Sequence, residues 1–313
     1  MRPLNASVAD SVADSVTKPV SVDDPLATKG EAVEEWSDLH FFRPLGARLA
    51  TALAPTRVSP DQVTLWSLVI GLVAGHLFVY TDPWLNALGF VLFIVSDIAD
   101  SADGQLARMR GTSTRFGRIL DGLSDSARFV NLYVHLAIRL ALFSGWHWPT
   151  AVALAAAALL SHSFQSAAVD FIRHAFLAIG VGRGSELELS GDLPPGTSIA
   201  SRLYAAYVRR QELMFPQTVT LVRRMRDGML PAEARAAYRV RVAPLLGHCA
   251  WLGQNIRWLL VGVCATAGRP AAMLWIELVP LNVVLLWLVA AADGAAGRVL
   301  KMPDRRPERV GVR

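Results

Sequence analysis

Eight residues between Asp100 and Asp125 combine carboxylates, small residues and one guanidinium at fixed spacing. They read D-x2-D-G-x2-A-R-x8-G-x3-D-x3-D: Asp100, Asp103, Gly104, Ala107, Arg108, Gly117, Asp121 and Asp125. At roughly 5–7% frequency per residue type, eight fixed positions would coincide on the order of once in 10^10 windows, so chance is no competitor. Asp100, Asp103 and Ala107 follow i, i+3, i+7 and Gly117, Asp121 and Asp125 follow i, i+4, i+8, so each set lies along one helix face. Between them "RGTST" (110–114) breaks the helix, with Gly111 suited to ending one helix and Thr112, Ser113 or Thr114 to capping the next. An antiparallel hairpin then sets Asp103 near Asp121 and Asp100 near Asp125, and four carboxylates meet.

Each ionised Asp costs up to about 2.5–3.5 kcal/mol at the centre of a membrane helix, so four together demand compensation. Divalent cations supply it best. All-carboxylate ligation suits a hard ion, Mg2+ or Mn2+, and four carboxylates suffice for two ions that clamp phosphate oxygens around a reacting bond. Gly104, Ala107 and Gly117 leave the helix faces bare for a neighbouring helix or a flat ligand group. Arg108 offers a bidentate grip on phosphate.

The elements that must carry this motif are hydrophobic. The apolar fraction is 53%, and the apolar residues fall in blocks. Six stretches are long enough to cross a bilayer, which takes about 20 helical residues: 63–81, 84–108, 117–143, 148–178, 243–267 and 271–299. The expected fold is all-α and integral to a membrane: six transmembrane helices, an N-terminal interfacial helix, and a cytoplasmic amphipathic insertion between helices 4 and 5. Cations crowd the N-terminal flank (Arg43, Arg48, Arg57), the 2–3 turn (Arg108, Arg110, Arg115, Arg118), the 4–5 connection and the C-terminal tail (Arg298, Lys301, Arg305, Arg306). "YTDPW", "FSGWHW" and "TAGRP" hold one Arg between them. The positive-inside rule then puts both termini and the 2–3 turn in the cytoplasm. The net charge of +5 follows this topology and reads as Arg beside anionic headgroups, not as nucleic-acid binding. Cys249 and Cys264 are too few for a disulfide framework or a thiolate metal site. Arg outnumbers Lys 28 to 3, which points to a GC-rich bacterial genome and an inner-membrane location.

Along the chain, 1–35 is polar and expected to be a disordered tail. Residues 36–62, from "WSDLHFFRPLGARLATALA" to the start signal at Pro60, form the interfacial helix and the entry to span one. Residues 63–180 hold spans 1–4 with the motif, 181–242 the Arg-rich insertion, 243–300 spans 5 and 6, and 301–313 a cytoplasmic tail.

The motif segment resembles the signature of the CDP-alcohol phosphotransferase family, also called CDP-alcohol phosphatidyltransferases, at every position. That resemblance implies a six-helix membrane enzyme of phospholipid synthesis that moves a phosphate-linked alcohol from a CDP-alcohol to an acceptor hydroxyl and releases CMP. It implies that Asp100, Asp103 and Asp121 coordinate two Mg2+ or Mn2+ ions. Asp125 lies near the second ion and is the proposed base. Gly104, Ala107 and Gly117 line the cytidine pocket, and Arg108 holds the diphosphate. Relatives often carry P-N-x-x-T before span one; here Pro60, Asp61 and Thr64 stand in that pattern. Asp61 keeps an acceptor but lacks the amide donor, and Thr64 is a second nucleotide-binding candidate. Analogy with relatives points to a homodimer.

Other polar residues fall in the spans. Asp97 reads either as orienting a metal ligand or as facing water. Arg128 reads either as a contact to donor or acceptor phosphate or as the ion-pair partner of a motif carboxylate. With Asp170 and Arg173 it marks where an acceptor is sought. Asn131, His135 and Arg139 continue the span-three stripe. His162 reads as a satisfied interior histidine, and Arg257 and Glu277 as a structural pair. The leading donor is CDP-diacylglycerol, with an inositol phosphate, glycerol phosphate or serine as acceptor. The alternative is an aminoalcohol phosphotransferase joining CDP-choline or CDP-ethanolamine to diacylglycerol. A divalent-cation transporter would bind the same ions but gives no reason for the Gly, Ala and Arg positions, and a catalytically silent relative is disfavoured because all four Asp are present.

Overall fold

The computed structural model describes residues 33–112, 114–183, 187–193 and 199–302, without the side chains of 115, 116, 118, 119, 199 and 200. Most of the expected tails, 1–35 and 301–313, therefore lie outside the described residues, as do the side chains of Arg115 and Arg118. Helix is the only regular structure among the described residues. The chain divides into two compact units, the first from residues 1–166 and 249–285, the second from 167–248 and 286–313.

The first unit opens with a π-helical turn, Asp38–Phe42, that runs into α1 (Arg43–Leu53). α2 (Pro60–Leu77) starts at a capping box: the Gln62 amide donates to Ser59 Oγ at 3.2 Å, and the Ser59 amide donates to Gln62 Oε1 at 2.9 Å. Pro60 occupies the first helical position, where its missing N–H costs nothing. α3 (Pro83–Met109) is capped by Asp82, which accepts from the amides of Trp84 (2.7 Å) and Leu85 (3.2 Å). Gly111 at φ +64° ends that run, as its position in "RGTST" predicts. Thr114, one of the three expected caps, then accepts from the Gly117 amide at 2.9 Å and starts α4 (Arg115–Phe143).

α3 packs between α1 and α2, and α2 also packs on α4. Arg110 pins this corner. Its guanidinium donates to the carbonyls of Leu53 (2.7 Å), Ala54 (3.2 Å), Thr56 (2.9 Å) and Val58, so it closes the C-terminal end of α1. A cation of the 2–3 turn is thus committed to the backbone of another helix.

After α5 (Trp148–Ala175), whose first part belongs to this unit, the chain returns through α9 (Gln254–Thr266) and α10 (Pro270–Leu278). The core is aromatic. Trp258 lies between Phe93 and Phe129 in parallel stacks, with ring centroids 3.8 and 4.4 Å apart. Buried arginines bond internally through their terminal nitrogens: Arg139 donates to Asn86 Oδ1 (2.9 Å) and to the carbonyls of Phe78 (3.3 Å) and Ala265 (3.1 Å), while its Nε has no hydrogen-bond partner. Arg257 pairs with Glu277 at 3.2 Å, the partner expected for it. His162 is buried against Phe129 and lies 3.3 Å from the Tyr133 hydroxyl, in keeping with an interior histidine.

Three described helical runs are long and apolar enough to cross a membrane: Pro83–Met109, Trp148–Val181 and Pro270–Leu300. They match the second, fourth and sixth expected spans, although the last is interrupted at Val279, between α10 and α11 (Pro280–Leu300), where Pro280 has no N–H to give. α4 has the length of a span but carries Asp121, Asp125, Arg128 and Arg139. α2 stops at Leu77, short of residue 81. The expected single helix over 243–267 is corrected: α8 (Ala232–Cys249) gives way to a 3-10 turn, Ala250–Leu252, and α9 restarts after an extended Gly253. The cause is polar. The Arg257 guanidinium collects the carbonyls of Leu252 and Gly253 (3.0 Å), which a continuous helix would have used internally.

In the second unit, α6 (Ile199–Met214) and α7 (Pro216–Arg226) fill much of the 181–242 connection. α7 buries Thr218, Val219, Leu221 and Val222 and exposes Arg223, Arg224 and Arg226. Asp293 of α11 accepts from the Gln217 amide (3.3 Å) and the Thr218 amide (2.8 Å) and so caps α7. Asp192, ahead of α6, is held below the usual carboxylate range by the Leu189 amide and by Arg226. Burial, and then the Glu188 carboxylate to which it donates at 2.8 Å, push the Tyr204 hydroxyl up to about 12.

Within the first unit Gly71 is a steric requirement. A Cβ there would lie 2.8 Å from Cγ of Arg128. Gly71→Ala should therefore cost about 1–3 kcal/mol, visible as a lower Tm in detergent. Gly122→Ala, where a Cβ meets nothing within 4 Å, should hold or raise the Tm.

Candidate metal centre

α3 delivers Asp97, Asp100 and Asp103 on successive turns, and α4 delivers Asp121, Asp125 and Arg128. α2 lies alongside and supplies hydroxyls. Thr64 Oγ1 donates to Asp103 Oδ2 in a buried, short hydrogen bond, and Ser67 Oγ donates to Asp100 Oδ1 at 3.2 Å. One oxygen each from Asp100, Asp103 and Asp121 lies within 4.8 Å of the other two. The hairpin expected from the spacing is therefore formed, and it brings three of the four motif carboxylates into one cluster.

The fourth, Asp125, is held differently. Its Oδ1 accepts from Nη2 of Arg128, which also reaches Asp100 Oδ1 at 3.2 Å. Nη1 of the same arginine donates to Asp97 Oδ1 (2.8 Å) and Ser96 Oγ (2.9 Å). Arg128 is fully buried, so the ion-pair reading of this residue holds in the structure. Asp97 does not face water. It is 6% exposed and accepts from Trp258 Nε1 and Gln254 Nε2, each at 2.7 Å, besides Arg128.

The expected nucleotide-binding residues border this cluster. The Arg108 guanidinium lies over Gly104, 3.4 Å from where a Cβ would stand. Gly117 faces Asp61: a Cβ there would sit 3.3 Å from Asp61 Oδ1. The start of α2 and the start of α4 thus meet at a glycine that keeps the Asp61 carboxylate accessible. Ala107 is half-buried on the same stretch of α3. Thr64 spends its hydroxyl on Asp103 and on the Pro60 carbonyl (3.2 Å), so it supports a motif carboxylate directly. Asp170 and Arg173 lie in the second unit, where Asp170 accepts from the Tyr207 hydroxyl (2.9 Å) and Gln211 (3.2 Å) and lies 3.1 Å from His174.

The donor set fits a divalent ion. Oxygens on opposite sides of a hard cation at about 2.1–2.6 Å stand about 4–5 Å apart, so Asp100, Asp103 and Asp121 already span one coordination sphere. Five carboxylates and one guanidinium leave four negative charges when all are ionised, and such a cluster is neutralised by cations more readily than by the protein around it.

Sequence reasoning missed Ser67, Ser96, Gln254 and Trp258. Thr64 and Ser67, three apart on an otherwise apolar helix, gave a local signal. Gln254 and Trp258 gave none, because only tertiary folding brings them to Asp97.

Residues 57–180 match the family model described as CDP-alcohol phosphatidyltransferase. The chain is 37% identical over 84 residues to the phosphatidylinositol phosphate synthase of Mycobacteroides abscessus, covering 25% of this chain and 34% of that one. It is 32% identical over 72 residues to the CDP-diacylglycerol–glycerol-3-phosphate 3-phosphatidyltransferase of Cereibacter sphaeroides, covering 23% and 33%. It is 29% identical over 118 residues to the bifunctional IPC transferase and DIPP synthase of Aquifex aeolicus, covering 37% and 26%. The chain spans about a quarter to a half of the length of the curated relatives it matches. The matched segment contains every residue of the motif, and the family resemblance read from those residues is borne out over 57–180.

Asp103→Asn should weaken Mn2+ binding by more than about tenfold, read by EPR titration of the purified protein. Thr64→Val, which removes only the hydroxyl behind Asp103, should weaken it by roughly tenfold.

Proposed function

We propose that this chain, whose residues 57–180 carry the CDP-alcohol phosphatidyltransferase match, is a membrane enzyme of phospholipid synthesis. It transfers the phosphate-linked alcohol of a CDP-alcohol to an acceptor hydroxyl and releases CMP. The observation that carries this reading is the convergence of Asp100, Asp103 and Asp121 within 4.8 Å, inside the matched segment.

In this reading Asp100, Asp103, Asp121 and Asp125 are the residues that would hold two divalent ions, Mg2+ or Mn2+. When bound, the ions supply charge stabilisation for the phosphate oxygens and the leaving CMP. Gly104, Ala107 and Gly117 leave a flat face for cytidine, with Asp61 at its edge as an acceptor for the base amino group. Arg108 grips the diphosphate as a planar two-point donor. Asp125, whose side chain is 41% exposed, is open to an acceptor and takes the proton from its hydroxyl. The acceptor oxygen forms the new bond to phosphorus as the bond from that phosphorus to the CMP oxygen breaks. Arg128 holds Asp125 toward Asp100, which orients the base.

The donor is CDP-diacylglycerol and the acceptor a soluble polyol phosphate. A relative named as a phosphatidylinositol phosphate synthase and one named as a CDP-diacylglycerol–glycerol-3-phosphate 3-phosphatidyltransferase support that choice. Donors of the CDP-choline type with diacylglycerol as acceptor are the second reading, because the motif meets only the groups both donors share. The six-span topology, with the active site and both termini in the cytoplasm of a bacterial inner membrane, is part of the same proposal. The exposed apolar stripe Leu65, Trp66, Val69 and Val73 on α2 supports a lipid-facing position for that shorter helix.

Radiolabel transfer in proteoliposomes, run with each donor–acceptor pair and Mg2+ or Mn2+, should release CMP with CDP-diacylglycerol. No release with any pair would refute the reaction. Asp125→Asn should lower kcat by about 10^2–10^4-fold while donor binding stays largely intact. Equal loss of donor binding in Asp125→Asn and Asp103→Asn would contradict the separate roles.

A further inference from the structure

Arg128 stands where a metal ion's charge is wanted, yet it is covalently part of the protein. Its Nη2 bridges Asp100 and Asp125, two carboxylates that a cation would also attract. Its Nη1 is drawn the other way, to Asp97 and Ser96. Asp97 is in turn fixed from α9: Trp258 and Gln254 each donate to it at 2.7 Å, one to each carboxylate oxygen, and Trp258 is immobilised between Phe93 and Phe129. Gly71 leaves the room that the aliphatic stem of Arg128 occupies. Asp97 has no place in the eight-residue motif, and neither do Trp258 and Gln254, which are distant in sequence.

We propose that Asp97, clasped by Gln254 and Trp258, is a positioning residue that anchors Arg128 as a resident counter-ion and so sets the affinity of the carboxylate cluster for divalent cations. The inference rests on the reading of that cluster as a cation site. Before a cation arrives, Arg128 offsets repulsion among the carboxylates and keeps α3 and α4 together. Asp97 takes up half of the guanidinium and limits its competition for Asp100 and Asp125. Loss of the Asp97 charge acts twice in one direction: it removes a nearby negative charge, and it frees Arg128 to pair more fully with the two ligands. Loss of the Arg128 charge acts the opposite way on affinity, while the repulsion it leaves lowers stability without metal.

The test is Mn2+ titration of the purified full chain in detergent, read by EPR without donor or acceptor, together with the Tm with and without Mn2+. Asp97→Asn should weaken Mn2+ binding by roughly 10–100-fold. Arg128→Gln should bind Mn2+ more tightly than the unsubstituted protein, melt lower without metal, and gain more Tm on Mn2+ addition. The double variant should recover most of the affinity lost in Asp97→Asn. A purely structural role predicts weaker binding in both single variants and no recovery in the double. Unchanged affinity in Asp97→Asn, weakened affinity in Arg128→Gln, or a double variant no better than Asp97→Asn would overturn the proposal. If Asp97→Asn does not fold, Arg128→Gln still decides by the sign of its change. Absence of transfer activity alongside this order of affinities would refute the reaction and leave the clasp standing; transfer with affinities indifferent to these changes would do the reverse.

Discussion

Mutual repulsion among five carboxylates on two adjoining helices is the constraint around which the first unit is organised. Asp97, Asp100 and Asp103 occupy successive turns of α3, and Asp121 and Asp125 successive turns of α4. At separations of a few ångströms like charges cost several kcal/mol in any medium less polar than water. The protein answers with one buried guanidinium, with hydroxyls from α2, and with indole and amide donors from α9. Those donors satisfy individual oxygens; among them Arg128 is the charged one, and a single guanidinium does not balance five carboxylates. That residual charge gives the cluster its chemistry: it suits hard divalent cations, and through them phosphate.

Other arginines answer unpaired backbone acceptors. Arg110 closes α1 on four carbonyls, Arg139 ties α4 to Asn86 and to two carbonyls, and Arg257 gathers Glu277, Gln165 and the carbonyls of the turn before α9. In each case a planar guanidinium satisfies several acceptors at once where helices are short or broken, which a lysine ammonium could not do with the same geometry. The break before α9 is positioned by this means, and α9 thereby presents Gln254 and Trp258 to Asp97. Helix irregularity and site geometry are linked through Arg257 and Asp97.

What could be read from sequence was what local spacing encodes. The helical faces of Asp100, Asp103, Asp121 and Asp125, the glycine stop at Gly111 and the cap at Thr114 each depend on a handful of neighbouring residues, and the structure has all of them. Asp97 and Arg128 stayed ambiguous because their partners come from other helices. The role of Arg110 was not legible for the same reason: its acceptors are the carbonyls at the end of another helix. The apolar run 243–267 looked continuous because hydropathy does not register an extended glycine backed by a buried arginine. Trp258 lies far from the motif in sequence, and its N–H bond to Asp97 forms only once α3 and α9 pack.

The most direct test of the central claim is whether a cation held by these carboxylates touches the phosphates of a CDP-alcohol. Pulsed EPR of Mn2+ bound to the purified protein reports this through hyperfine coupling to 31P. On addition of CDP-diacylglycerol the bound Mn2+ should acquire a 31P coupling, and Asp103→Asn should abolish the bound signal. Bound Mn2+ that shows no 31P coupling in the presence of any CDP-alcohol would contradict the assignment.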